Sequence, residues 1–545
     1  MRRRLNLYAP YTMCSLMRPS PEPSPSQSSV SLEAPAVTVN PTPQPVRIAL
    51  VILAACLPYL ACLGNPWIWD DSILLAQRLA PENTSGWVDI WRQPYWGKIG
   101  LPDTYRPLSL SLIYLERLAF GTSVAPREQL DGGIVGTDPS VHGAEARGKP
   151  PVAAYHVVSL LLHATVSLLV MAVVGRLAGA RVGWLCALLF AVHPIHAEAV
   201  GMVYGQLELC AALFTLSAIW FYIRARQDAL KPVPFALSIL LAFAAACSKE
   251  SALMLPALLL LVRAVWMSGD GDLASRAHRF KRGLGWDALF LLPVLAYLLL
   301  RHDAMGSLAP HPDATISQNY TPGQRVKAVV VSVGHALRLC SVPSGQTLYY
   351  GHLRDSVFGW PVNELIWIVF AMGVLVWLVE RLGAWPVLFG TGWFGLTLLP
   401  VANLVPTGVL VAERTLYTPS LGICFLIAAV FGQFTDFRRF ALVGLVAASA
   451  VMAWVTVSTW RDEETLWRTT VAAHPRSPMG QMWLGGSMIK RWRKTGIVPG
   501  PEELRKAAEA FAIALELNPE LKQAQTGSAY VAEIQRTGKL PSVEK

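Results

Sequence analysis

Two adjacent carboxylates, Asp70 and Asp71, stand in the stretch Asn65-Pro66-Trp67-Ile68-Trp69-Asp70-Asp71-Ser72, just after an apolar run from about 46 to 64. That run is long enough to cross a bilayer, so the pair falls where a membrane helix ends. Acidic side chains are costly in apolar surroundings. A pair at a membrane edge is therefore either a solvated helix end or a functional site. Other polar residues mark the ends of further apolar runs: Arg106, His193, His196, Glu198, Glu208, Lys249, Glu250, Arg301, Glu413, Arg414 and Tyr417. Carboxylates and cations gathered on one face suit a reaction in which a hydroxyl loses a proton and an anion departs. A carboxylate takes the proton, and an arginine holds a leaving phosphate through paired hydrogen bonds. A site of this kind at a membrane points to a lipid-linked donor.

Each group also has a simpler reading. His193 and His196 stand three apart and can face one way, but Pro194 between them disrupts helical placement. They form a zinc pair, or serve as hydrogen-bonded structural histidines, or touch donor or acceptor. Lys249-Glu250 is equally an interfacial ion pair. Glu413-Arg414 is equally a buried structural pair, and Tyr349-Tyr350 reads as part of an aromatic belt.

The elements that must position these groups are membrane helices. Of 545 residues, 53% are hydrophobic and 15% charged, against about 25% charged in soluble domains. The net charge of +10 comes from basic residues in short loops between apolar runs, which is a membrane-orientation signature and no sign of nucleic-acid binding. The eight cysteines form no C-x-x-C pair and mostly lie in or beside apolar runs, as small hydrophobes.

Residues 1–45 are polar and Pro/Ser-rich and read as a disordered cytoplasmic tail. No apolar segment directly follows Arg2-Arg3-Arg4, so the first helix is expected to be an uncleaved anchor. A long external segment, 65–151, follows. Within it, Pro107 opens an amphipathic helix expected to lie at the interface, and 121–151 reads as a flexible insertion. Ten more apolar runs lie near 152–175, 181–197, 205–223, 233–248, 251–267, 284–301, 361–380, 385–402, 414–432 and 440–458. Placing the basic loops inside gives about 11 spans, provided 326–342 does not span. Arg325, Lys327 and Arg338 fit an external or re-entrant element there.

After Trp460 the composition turns soluble. Trp467-x-x-Thr470-x4-Pro475 and Phe511-x-x-Ala514-x4-Pro519 share one spacing, and with Ala507 the second set resembles the second helix of a tetratricopeptide repeat (TPR). Leu484-Gly485 would supply the small first-helix contact. One and a half repeats cannot bury a full solenoid core, so this part is expected to lean on the membrane domain or a partner.

Taken in order, Trp69-Asp70-Asp71, Pro94-Tyr95-Trp96-Gly97, Tyr105-Arg106-Pro107-Leu108, His193-Pro194-Ile195-His196-x-Glu198-Ala199-Val200, Ser248-Lys249-Glu250 and Glu413-Arg414-x-Leu416-Tyr417-x-Pro419-Ser420 resemble a known set. They are similar to the transmembrane and tetratricopeptide-repeat O-mannosyltransferases and their bacterial relatives, within the GT-C glycosyltransferases. The resemblance covers about 46–520; the 121–151 insertion and the stretched repeat region depart from it. It implies an all-α fold: a GT-C transmembrane domain over 46–458 and a TPR-like periplasmic domain over 459–545. It also implies a polytopic bacterial inner-membrane protein with a cytoplasmic N-terminus. The implied reaction is inverting transfer of one sugar, expected to be mannose, from a polyprenyl phosphate to protein Ser/Thr. By the resemblance Asp70, or else Asp71, is the catalytic base. Arg414, with Arg106 and Lys249 behind it, binds the donor phosphate. His193, His196, Glu198, Glu250, Glu413 and Tyr417 are expected substrate contacts. The partners are the donor, a protein acceptor and the bilayer. No cofactor is assigned, and a divalent metal is left open. Competing functions are transfer to a lipid or glycan, a lipid-linked sugar flippase, and a catalytically dead scaffold; no repeat among the spans favours the flippase.

Overall fold

A computed structural model of the protein describes residues 44–79, 86–97, 104–121, 152–226, 230–266, 281, 283–309, 320–405, 408–434 and 439–541. The expected cytoplasmic tail lies outside these, apart from its last two residues, and so does nearly all of the 121–151 insertion. The described residues are helical, without strands. The chain is a polytopic membrane protein: among the described residues, eight helices are long and apolar enough to cross a bilayer. They are Gln44–Gly64, Val152–Ala178, Gln206–Ala225, Leu284–Met305, Val362–Leu382, Ala384–Val401, Glu413–Phe431 and Phe440–Arg461. At about 1.5 Å per residue each reaches roughly the 30 Å of a hydrocarbon core.

Three of the eleven expected spans take another form. Ala180–Ala191 and Pro194–Gly201 make a pair bent by 53° at the His193-Pro194 break, a ninth span if counted as one. Proline lacks the N–H that would continue the first helix. Pro232–Ser248 has 17 residues. The run expected at 251–267 is split into a tight 3-10 turn, Glu250–Met254, and a 12-residue helix, Leu255–Trp266. The helix Pro322–Ser341 does not qualify as a span, although it is 20 residues long. Thr321 and Gln324 cap it reciprocally, with Gln324 N–H donating to Thr321 Oγ1 and Thr321 N–H donating to Gln324 Oε1.

Close helix approach relies on glycine. A Cβ on Gly183 would fall 2.5 Å from the Gly175 backbone, and one on Gly422 would fall 2.3 Å from the Gly390 carbonyl. Small residues let membrane helices pack where no hydrophobic force draws them together.

Four helices follow the last span: Glu463–Ala473, Pro478–Thr495, Pro501–Leu517 and Lys522–Thr537. Asp462 and Ser477 cap the first two by accepting from Thr465 N (2.7 Å) and Gly480 N (3.1 Å). The Phe511 ring fills the space between Gly485 and Gly527; a Cβ at either would lie within 2.7 Å of it. The small contact expected at Gly485 is thus present. The near end of this group leans on the membrane body. Trp467 and Trp460 are buried with Ile68 and Met202, and Thr347 donates its hydroxyl to Thr470 across 2.8 Å.

Candidate active site

Trp69 sits at φ 57°, ψ −122°, a conformation that non-glycine residues rarely adopt. Its indole packs edge-on against Trp483 (4.9 Å) and Trp467 (5.4 Å) of the C-terminal helices. Such strain persists only where surrounding contacts over-determine it. The short helix Asp70–Ile73 starts immediately after it.

The two aspartates then diverge. Asp71 is 1% exposed, and its carboxylate accepts from the backbone N–H groups of Val203 (3.0 Å) and Tyr204 (2.6 Å). The turn that presents these donors requires Gly205, where a Cβ would lie 2.1 Å from the Ala199 carbonyl. Burial raises the Asp71 carboxyl to about 7; the two N–H donors oppose the rise, and neighbouring Asp70 adds to it. Asp70 is half-buried, and its charge acts on Tyr204 and Arg414.

Tyr204 is the hub of the site. Its hydroxyl accepts from Arg106 Nη1 at 3.0 Å, its ring lies under the Arg414 guanidinium at 5.2 Å, and Trp96 stacks on it at 6.0 Å and 9°. Beyond it opens a cavity of about 280 Å³. Its lining combines Arg106, Lys249, Glu250, Arg301, Arg414 and Tyr204 with the apolar residues Pro400, Val401, Val405 and Val409–Ala412. Asn403 holds the 400–412 stretch from a left-handed conformation, φ 60°, by donating to Ser332 Oγ (2.9 Å) and Leu410 O (2.8 Å). Asp70 does not line the cavity itself.

The cations are held by carboxylates. Glu250 bridges Arg106 (2.9 Å) and Arg301 (3.4 Å). Burial alone would raise its carboxyl, but Arg106 and Arg301 outweigh that and hold it below the usual range. Glu198 pairs with the Arg414 guanidinium and also accepts from the Arg414 backbone N–H at 2.8 Å. Glu208 pairs with Lys249. Four cations thus line the cavity, each paired with a carboxylate.

Of the residues expected from sequence, Arg106, Lys249, Glu250, Arg301 and Arg414 line the cavity, and Glu198 pairs with Arg414. The others lie elsewhere. Glu413 accepts from Gln346 (2.7 Å), Thr347 N (2.6 Å) and Tyr350 OH (2.5 Å). Tyr417 OH bonds His163 at 2.8 Å. His196 bonds Ser420 at 2.9 Å, and His193 bonds the Cys340 carbonyl at 3.1 Å. His193 also accepts from Ile195 N at its other ring nitrogen (3.2 Å), whereas His196 Nδ1 is buried without a hydrogen-bond partner. Among the described residues no group of three His, Cys, Asp or Glu side chains could hold a metal ion. Tyr204 was not expected; it stands four residues beyond Val200, where the resembling motif stops.

No family model matches the chain. Over 408 residues it is 24% identical to mouse (Mus musculus) protein O-mannosyl-transferase TMTC3, covering 67% of this chain and 42% of that protein. Its curated relatives are O-mannosyl-transferases. Protein O-mannosyl-transferase F38B6.6 of Caenorhabditis elegans is 23% identical over 494 residues, 87% of this chain and 63% of its own length. Mouse TMTC2 is 31% identical over 173 residues, 30% of this chain and 17% of its own. The chain therefore spans less than two thirds of the length of each of these relatives. Among solved structures, ArnT from Cupriavidus metallidurans bound to undecaprenyl phosphate aligns with TM-score 0.41 and 13% identity over 90% of this chain and 79% of that one. The Archaeoglobus fulgidus oligosaccharyltransferase aligns with TM-score 0.39 and 12% identity over 84% and 59%.

Proposed function

We propose that the protein is a membrane glycosyltransferase that moves a single sugar, mannose by its relatives, from a polyprenyl-phosphate donor to a protein Ser or Thr. The cavity carries the proposal. Its lining joins cationic side chains that suit a phosphate to apolar residues that suit the first units of a lipid. Asp70 acts electrostatically on Arg414, which lines the cavity.

In this reading Asp70 accepts the proton of the acceptor hydroxyl as its oxygen bonds the sugar's anomeric carbon. The bond from that carbon to the phosphate oxygen breaks on the opposite face, so configuration inverts. The departing phosphate keeps the bonding electron pair, and Arg414 and Arg106 meet its charge. Asp71 acts as a positioning residue that fixes Asp70 against Tyr204. The site would face the periplasm of a bacterial inner membrane, on the side of the C-terminal helices.

Purified protein given labelled polyprenyl-phosphate mannose and periplasmic protein should label Ser or Thr, with inverted anomeric configuration by NMR. Label appearing only in lipid or glycan would redirect the acceptor. Undiminished transfer by Asp70→Asn would remove the base from the mechanism.

A further inference from the structure

A second cavity, of about 390 Å³, shares no lining residue with the first. It lies where Pro322–Ser341, the start of Val362–Leu382 and the end of Glu463–Ala473 meet. Its walls include His335, Arg338, His352, Asn363, Glu364 and His474. The His352 and His474 rings stack at 3.6 Å and 17°. Three buried polar atoms here have no hydrogen-bond partner in the protein: His352 Nδ1, His474 Nε2 and Glu364 Oε2. Buried polar groups are nearly always paired, so three orphans around one cavity call for something that pairs them.

The residues sort the possibilities. A metal ion is disfavoured, because the Arg338 guanidinium approaches His335 Nε2 at 3.3 Å and the side chains are not arranged to ligate one. An anion would meet the Glu364 carboxylate, and Arg338 Nη1 is already given to the Ser344 carbonyl at 2.9 Å. Burial, reinforced by each other and by Arg338, holds His352 down to about 3, so the stacked pair adds no positive charge near neutral pH. What remains is a neutral ligand rich in both donors and acceptors. Trp367 adds an aromatic ring to the lining beside the polar groups. Donors, acceptors and one aromatic plane match the hydroxyls and C–H face of a sugar ring, and the volume lies within the usual range for small-ligand sites, about 300–1,000 Å³.

We propose that this cavity binds a neutral saccharide unit, separately from the cation-lined cavity. The sugar is either one already borne by an acceptor or a lipid-borne one; both present the same hydroxyl array. Tyr350 links the two regions. Its ring lies 4.9 Å from His335, and its hydroxyl donates to Glu413, the residue before Arg414. Occupancy is therefore placed to steady the turn that carries Arg414.

The full-length protein in detergent is examined by saturation-transfer NMR with methyl α-mannoside, methyl α-glucoside and N-acetylglucosamine in turn. At least one should bind with a dissociation constant of about millimolar. Glu364→Gln and Asn363→Ala, each with the parent's melting temperature, should weaken it at least about tenfold. Competition by a hexosyl peptide marks an acceptor-borne sugar, and competition by vesicles containing a hexosyl lipid marks a lipid-borne one. The proposal is overturned if none of the three sugars binds, or if binding survives both variants. Zinc or inorganic phosphate binding that the same variants abolish would overturn it too. Sugar transfer measured on the same preparation reports separately on the proposed function.

Discussion

The backbone N–H of Tyr204 lies 2.6 Å from the Asp71 carboxylate, whereas Asp70, one residue earlier, directs its charge toward Arg414. Neighbours in sequence therefore have different surroundings. Asp70→Asn should lower kcat about 10²–10⁴-fold, the usual worth of a general base, with the melting temperature near the parent's. Asp71→Asn turns an amide NH₂ toward one backbone donor and should cost about 1–3 kcal/mol of stability. Thermal melts paired with transfer assays check this; equal melting temperatures for both variants would refute the division.

Stability should also depend on pH through Asp71. Its carboxyl is raised to about 7 when folded, against about 3.9 in an unfolded chain. The higher folded value means the native state binds the proton more tightly. Its contribution is complete below about pH 4 and is lost as pH rises through 7, by at most about 1.4 kcal/mol per pH unit. Denaturation between pH 4 and 8 should show stability declining in the parent and a shallower decline in Asp71→Asn. Identical slopes would assign the titration to another group, such as Glu116, which burial raises to about 8.

Glu198 fixes Arg414 through side chain and backbone together. Glu198→Gln keeps the shape and removes the charge. The donor KM should rise about tenfold, equivalent to about 1.4 kcal/mol, with the acceptor KM unmoved. Arg414→Lys should raise the donor KM as well, because a point charge cannot reproduce a forked contact. A change confined to the acceptor KM would detach Arg414 from the phosphate.

Trp467→Ala removes an indole that braces Trp69 and should lower kcat while leaving the donor KM alone. Gly527→Val pushes a side chain into the Phe511 ring and should destabilise the C-terminal helices by about 1–3 kcal/mol, visible as faster limited proteolysis. Full kcat in both variants would show that these helices do not brace the first loop.

Hydropathy made the spans legible, and charge at their ends made the cavity's cations legible. Geometry within a turn was not. Glu413 and Arg414 are adjacent, yet the 3-10 turn Glu413–Leu416 sends one to the 346–350 loop and the other to the cavity, because successive helical residues point in different directions. His193 and His196 show the same limit: residue type allows a ligand, while burial against Cys340 and Ser420 gives them structural partners. Tyr204 carried no sequence signal, since one aromatic beside an apolar run looks like any interfacial residue. The break at Glu250–Met254 was equally hidden, because from Ala252 the residues stay apolar while the backbone tightens.

Asn65 donates to the Val457 carbonyl across 392 residues, and four positions later Trp69 meets Trp467 and Trp483. The loop bearing Asp70 is therefore translated well before the helices that brace it. A nascent chain halted before residue 457 should insert its early helices without fixing Trp69, so the order of synthesis keeps the proposed site unformed until its braces exist.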